Sequence, residues 1–200
     1  MIRKKNKAIF LDKDGTLLED VPYNVNPALI KLQYGALEGL RSLKKKGFLM
    51  FIISNQSGVA LGYFALEDVW NADEAVRQKL ADQNISLDGS YYCPHHPHGN
   101  VPEFTKICNC RKPEPGMLLQ AAEEHQVDLS ASWMIGDILN DVEAGNRAGC
   151  KTILIENGNE TEWRLDRNRI PDLVAANLAE AAQLIATINH LIISFNPELH

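Results

Sequence analysis

A parallel α/β sheet with helices on both faces is the fold the sequence predicts. Three observations predict it. Short apolar runs alternate with amphipathic stretches along most of the 200 residues. Two of those runs end in small or acidic residues where a βα turn belongs, at Asp12 to Gly15 and at Gly136-Asp137. Repeated βα units then require right-handed crossovers, which cover both faces of the sheet.

Ala8-Ile9-Phe10-Leu11 reads as a buried strand, and Gly15 turns the chain after it. Gly35 to Lys46 carries Leu37, Leu40 and Leu43 at helical spacing, with Gly47 as its stop. Phe48 to Ile53 is a continuous apolar run and a second strand. Leu66 to Asn84 follows as a helix with Val69, Ala72, Val76 and Leu80 as its inner stripe. Ser90 to Cys93 is a short strand that enters an irregular segment rich in Pro, His, Gly and Cys. Gly116 to His125 is helix and Ser132 to Ile135 strand; Asp141 to Ala148 is helix, closed by Gly149, and Lys151 to Ile155 strand. Asn157 to Pro171 is a polar loop, and Leu178 to Leu191 a final helix, so the last forty residues supply a sheet edge and a packing helix. One domain over residues 1–200 is expected, with about 93–112 as an inserted loop and no large cap domain.

Hydrophobic content of 45% and charged content of 23% are ordinary globular values. A net charge of −6 lacks the basic footprint of a nucleic-acid binder, so no nucleic-acid partner is expected. The basic start Met1 to Lys7 is not followed by a long apolar region, and Leu191-Ile192-Ile193 is far too short to span a bilayer. A cytoplasmic monomer with no membrane partner is the expectation.

Asp12 and Asp14 are two apart at the end of a strand, so they face the same way where parallel sheets bind ligands. Paired carboxylates repel unless a cation lies between them, and hard oxygen ligands suit Mg²⁺. A carboxylate beside bound Mg²⁺ can attack phosphorus and hold the phosphoryl group covalently. Ser54-Asn55-Gln56-Ser57-Gly58 follows the second strand and offers hydrogen bonds to phosphate oxygens. Arg111 and Lys112 supply positive charge before Pro113. Asp137 repeats the logic of Asp12 as a further Mg²⁺ carboxylate, while Asp141 either orients Lys112 or caps backbone amides.

Three of the four cysteines fall between positions 93 and 110. Cys93 and His95, then Cys108 and Cys110, give three thiolates and one imidazole, a closed tetrahedral set for structural Zn²⁺. His96 and His98 compete with His95 for that place, and Cys150 reads as a small core residue.

In this order the segments DxDGT, Ser after a strand, Lys, and GD resemble the motifs of the haloacid dehalogenase-like phosphohydrolases, over nearly the full chain. The resemblance implies that family's Rossmann-like sheet, with Asp12 as nucleophile and Asp14 as acid and then base. It implies Ser54 and Lys112 on the phosphoryl group, and Mg²⁺ held by Asp12, the Asp14 backbone carbonyl and Asp137. Tyr91 to His98 and Cys110 to Met117 resemble one subgroup, the phosphatases of D-glycero-D-manno-heptose 1,7-bisphosphate. That likeness implies release of the C7 phosphate from a phosphorylated sugar, with contacts from Asp20 to Tyr23, from Ser54, Asn55, Gln56 and Ser57, and from Arg111 and Lys112. The chain departs from the subgroup at Leu61 and Ile138, where cations are common. Histidinol-phosphate phosphatases share the CxH and CxC pairs on a shorter loop, and they or another small-phosphomonoester phosphatase are the nearest alternative. A nucleic-acid 3′-phosphatase and an inactive zinc-stapled binding module are the more distant readings.

Overall fold

The computed structural model describes residues 5–195. The first four residues of the basic start lie outside that range, and the side chains of Leu191-Ile192-Ile193 are likewise outside the description. Strands β1 (Ala8–Leu11), β2 (Leu49–Asn55), β3 (Gly89–Cys93), β4 (Trp133–Gly136), β5 (Lys151–Ile155) and β6 (Leu173–Ala175) form one parallel sheet in the order β3-β2-β1-β4-β5-β6. The chain builds outward from β1 to β3, then crosses to the other side of β1 to lay down β4. Strand order therefore reverses between β1 and β4, and a crevice opens there at the carboxyl ends of the strands. Leu11 is in register with Ile135, so the residues that follow these two strands emerge side by side.

Alternation along the strands divides the core. Ile9, Leu11, Met50, Ile52, Ile135 and Ile153 face one side and pack against α1 (Ala36–Lys45), α3 (Leu66–Ala81) and α6 (Leu178–Phe195). Ala8, Phe10, Phe51, Ile53 and Met134 face the other, against α4 (Gly116–Glu124) and α5 (Leu139–Ala148). Phe10 and Phe51 are fully buried and stack at 5.6 Å; burial of each such ring contributes about 1.5–3 kcal/mol.

The expected α/β fold is the one observed, with differences at its margins. A single turn, α2 (Gly58–Leu61), follows β2, too short to leave a periodic pattern. Helix α3 ends at Ala81 rather than Asn84, which instead takes a left-handed conformation with φ 59°. Helix α5 begins at Leu139 because the Asp141 carboxylate accepts the Ile138 N–H, so Asp141 lies inside the first turn rather than opening it. Among the described residues, no helix is long and apolar enough to cross a membrane.

Candidate active site

Asp12 follows β1, and its N–H donates to the Ile135 carbonyl, which continues the β1–β4 pairing by one residue. The chain then turns at Gly15 (φ 91°), where the Gly15 N–H donates to the Leu18 carbonyl. A Cβ at Gly15 would lie 1.9 Å from Asp137 Oδ2, so only glycine lets this turn approach the acid after β4. Asp12, Asp14, Asp20, Ser54, Asn55, Lys112 and Asp137 line one open cavity of about 220 Å³, together with Ile138 and Asn159.

Lys112 is the hub. Its ammonium donates to Asp12 Oδ1 at 2.5 Å and to the Ile53 carbonyl at 2.8 Å, and it pairs with Asp141 Oδ1 at 2.6 Å. Burial alone would push the Lys112 pKa down, but Asp12 and Asp141 outweigh it and the net displacement is upward, so this cation stays charged. Asp141 performs both tasks open to it in the sequence, pairing with Lys112 and capping α5. A Cβ at Gly136 would meet the Asp141 carboxylate at 2.2 Å, which explains the glycine that ends β4.

Asp137 accepts from Asn159 Nδ2 at 2.7 Å through Oδ2 and from Thr16 Oγ1 at 3.4 Å through Oδ1. Burial and then the Asp12 charge push its carboxyl up to about 6, while Asn159 pulls the other way. Asp14 is raised too, by burial first, with Lys13 opposing and Asp12 adding to it. Its Oδ2 receives Gln56 Nε2 at 3.2 Å and lies 3.3 Å from the buried Lys13 ammonium. Asp12, Asp137 and Asp141 each bring a carboxylate oxygen within 4.8 Å of the others. Three buried acids so close repel one another strongly, and an oxygen-only donor set fits a hard divalent cation.

Of the other predicted contacts, Asn55 lines this cavity, whereas Gln56, Ser57, Arg111 and Tyr23 lie outside its lining. Asn55 exchanges two hydrogen bonds with the Lys112 main chain, so its amide holds the peptide of that residue. Gln56 links Ser54 Oγ to Asp14, and Ser57 Oγ accepts from Arg111 at 2.6 Å. Tyr23 (φ 55°) is half exposed and meets the Tyr63 ring edge-on at 4.8 Å.

Cys93, His95, Cys108 and Cys110 converge as the spacing predicted, with Sγ and Nδ1 atoms 3.2–3.7 Å apart along the contacts they make. Such separations are close to the edges of a tetrahedron whose bonds measure about 2.0–2.3 Å, as thiolate and imidazole bonds to Zn²⁺ do. Hydrogen bonding from Cys93 draws the Cys110 thiol down to about 5. His95 is the histidine that joins the cluster; the His96 ring nitrogen instead accepts the His98 N–H. Arg111 donates to the His95 carbonyl, which ties the cluster to the segment that carries Lys112.

Four residues here carried no functional reading in the sequence. Lys13 lies between the two acids and had a visible signal in that position. Gln33 and Asn157 both donate to the Gly15 carbonyl, at 3.3 and 2.7 Å, and Asn159 reaches Asp137. No periodicity marks an amide in a polar loop as bound to a site built from other strands.

Comparison with known proteins agrees with this architecture. A family model described as HAD-hydrolase-like matches residues 109–181. The D-glycero-β-D-manno-heptose-1,7-bisphosphate 7-phosphatase of Escherichia coli K12 is 41% identical over 182 residues, covering 86% of this chain and 94% of that one. The phosphatase of the same name from Pasteurella multocida is 41% identical over 90% of this chain and 96% of its own length. The crystal structure of D,D-heptose 1,7-bisphosphate phosphatase from B. bronchiseptica, complexed with magnesium and phosphate, superposes with a TM-score of 0.75 at 29% identity, covering 91% of this chain and 99% of that one. At 41% identity over most of both chains, the chain belongs to the haloacid dehalogenase-like hydrolases, within the D-glycero-β-D-manno-heptose-1,7-bisphosphate 7-phosphatase family.

Proposed function

We propose that this protein is an Mg²⁺-dependent phosphatase that removes the C7 phosphate of D-glycero-D-manno-heptose 1,7-bisphosphate through a phosphoaspartate on Asp12. The observation that carries the reading is the grip of Lys112 on Asp12 Oδ1 inside a cavity shared with Asp14 and Asp137. The names of the relatives supply the substrate, and the magnesium and phosphate of the B. bronchiseptica structure support the cation.

The Asp12 carboxylate attacks phosphorus as the bond from phosphorus to the sugar oxygen breaks. Asp14 gives its proton to that oxygen, a role served by the upward displacement of its pKa. In the second half Asp14 takes a proton from water, the water oxygen attacks phosphorus, and the Asp12 carboxylate leaves as inorganic phosphate forms. Lys112, Ser54 and the Arg111 segment balance and bind the phosphoryl oxygens. Asp12, the Asp14 main-chain carbonyl and Asp137 would hold Mg²⁺, which supplies further charge neutralisation when bound. Asp141 is assigned to Lys112 instead, because that ammonium and the Ile138 N–H occupy it.

Zn²⁺ on Cys93, His95, Cys108 and Cys110 is read as structural, since four protein ligands leave no position for water. A single phosphatase domain, acting as a monomer in the reducing cytoplasm, completes the reading. Acid quenching of the enzyme during turnover of substrate labelled in the C7 phosphate tests it. An acid-stable, base-labile label on Asp12 that is lost in Asp12→Asn is expected; a label retained in that variant refutes the nucleophile.

A further inference from the structure

The loop after β5 was expected to be a plain polar connection. Its first residues instead bind the site at three points. Asn157 Nδ2 donates to the Gly15 carbonyl at 2.7 Å, Asn159 Nδ2 donates to Asp137 Oδ2 at 2.7 Å, and Glu160 Oε2 accepts the Leu139 N–H at 2.5 Å. Asn157 also accepts the Asn159 N–H through Oδ1 at 3.1 Å, so the first anchor orients the second. Where Asn159 meets Asp137, a Cβ on Gly15 would lie 2.6 Å from Asn159 Nδ2 and 1.9 Å from Asp137 Oδ2. The turn after β1, the acid after β4 and the loop after β5 thus interlock at one place, and Asn159 itself lines the cavity.

We infer that Asn159 is a positioning residue for the divalent-cation site, fixing the rotation of the Asp137 carboxylate through its amide. This deepens the Mg²⁺ reading above and rests on it. The chemistry is that of a ligating carboxylate held by a neighbouring donor: one oxygen is fixed by the amide, so the group offers the cation a single orientation. Thr16 Oγ1, at 3.4 Å from the other oxygen, is too distant to do this alone. Asn157 acts one step further out, holding both the Gly15 carbonyl and the Asn159 main chain.

Isothermal titration calorimetry with Mg²⁺ alone, on the full chain, tests the inference. Asn159→Ala is expected to raise the Kd for Mg²⁺ at least about tenfold, with the binding stoichiometry kept. The Mg²⁺ activation constant for phosphate release is expected to rise by the same factor. Asn159→Leu, with the same branched heavy-atom shape and without the amide, is expected to match it. A residue that only held the loop would lower the melting temperature or the stoichiometry and leave Kd within about twofold of wild type; that result overturns the inference. If the wild-type protein itself fails to bind Mg²⁺, the cation reading falls and this inference with it. Equal binding by wild type and both variants removes this inference alone.

Discussion

Asn55 and Lys112 exchange two hydrogen bonds of 3.0 Å, the Asn55 amide donating to the Lys112 carbonyl and the Lys112 N–H donating to Asn55 Oδ1. The residues are 57 apart in sequence, so this pair helps set the end of β2 against the segment leaving the thiol cluster, beside the Lys112–Ile53 and Arg111–Ser57 hydrogen bonds. Asn55→Ala removes both bonds and frees the peptide that aims the ammonium at Asp12. A loss in kcat/KM on the order of a hundredfold is expected, as for a reacting group displaced by about 1 Å. Steady-state kinetics, beside a urea denaturation curve showing a loss of about 1–3 kcal/mol, check it.

Gly15→Ala places a methyl group at φ 91°, against Asp137 and Asn159. The turn must move, so activity is expected to fall below detection. The strain of one left-handed residue, about 1–3 kcal/mol, is a lower bound on the lost stability because the clash adds to it. Thermal melting and phosphate release measured on the same preparation check both parts.

Chelation of zinc is expected to lower the melting temperature by at least about 4–8 °C, as for a loss near 2 kcal/mol in a domain of this size. Cys108→Ser is expected to purify with less than one zinc per chain. Burial pushes the Cys150 thiol up to about 12, so this residue is expected to resist thiol reagents in the native protein, and Cys150→Ser to keep its zinc. Metal analysis and thiol titration read these outcomes.

Tyr92 OH donates to Asp73 Oδ1 at 2.7 Å, and burial, then the Asp73 charge, raise its pKa well above the ordinary value. The unfolded phenol ionises near pH 10, whereas the folded one keeps its proton. The unfolded state therefore binds fewer protons above that pH, and stability falls as pH rises. The predicted slope is about 1.4 kcal/mol per pH unit, absent from Tyr92→Phe once the remaining groups are subtracted. Denaturant unfolding of both proteins between pH 9 and 11 checks the difference, at about those pH values.

What the sequence disclosed and what it hid divide along physical lines. Asp12 and Asp137 were legible because each follows a buried apolar run, and strand order alone brings two such ends together. The thiol cluster was legible because metal-ligand spacing survives without knowledge of the fold. Spacing could not separate His95 from His96, since neighbouring rings differ only in the direction the backbone gives them. Asn157 and Asn159 were hidden because their partners, Gly15 and Asp137, lie in the turns after β1 and β4, and no local pattern records a contact between the ends of different strands. Asn55 was placed near phosphate by its position at the end of β2, but the hydrogen bonds it makes to Lys112 needed coordinates.

The measurement that tests the central claim most directly is Mg²⁺-dependent phosphate release from both anomers of D-glycero-D-manno-heptose 1,7-bisphosphate, set against histidinol phosphate and fructose 1,6-bisphosphate. The account predicts a kcat/KM for one heptose anomer at least about a hundredfold above the others, roughly 2.7 kcal/mol of transition-state discrimination. A flat profile, or a preference for histidinol phosphate, would contradict it.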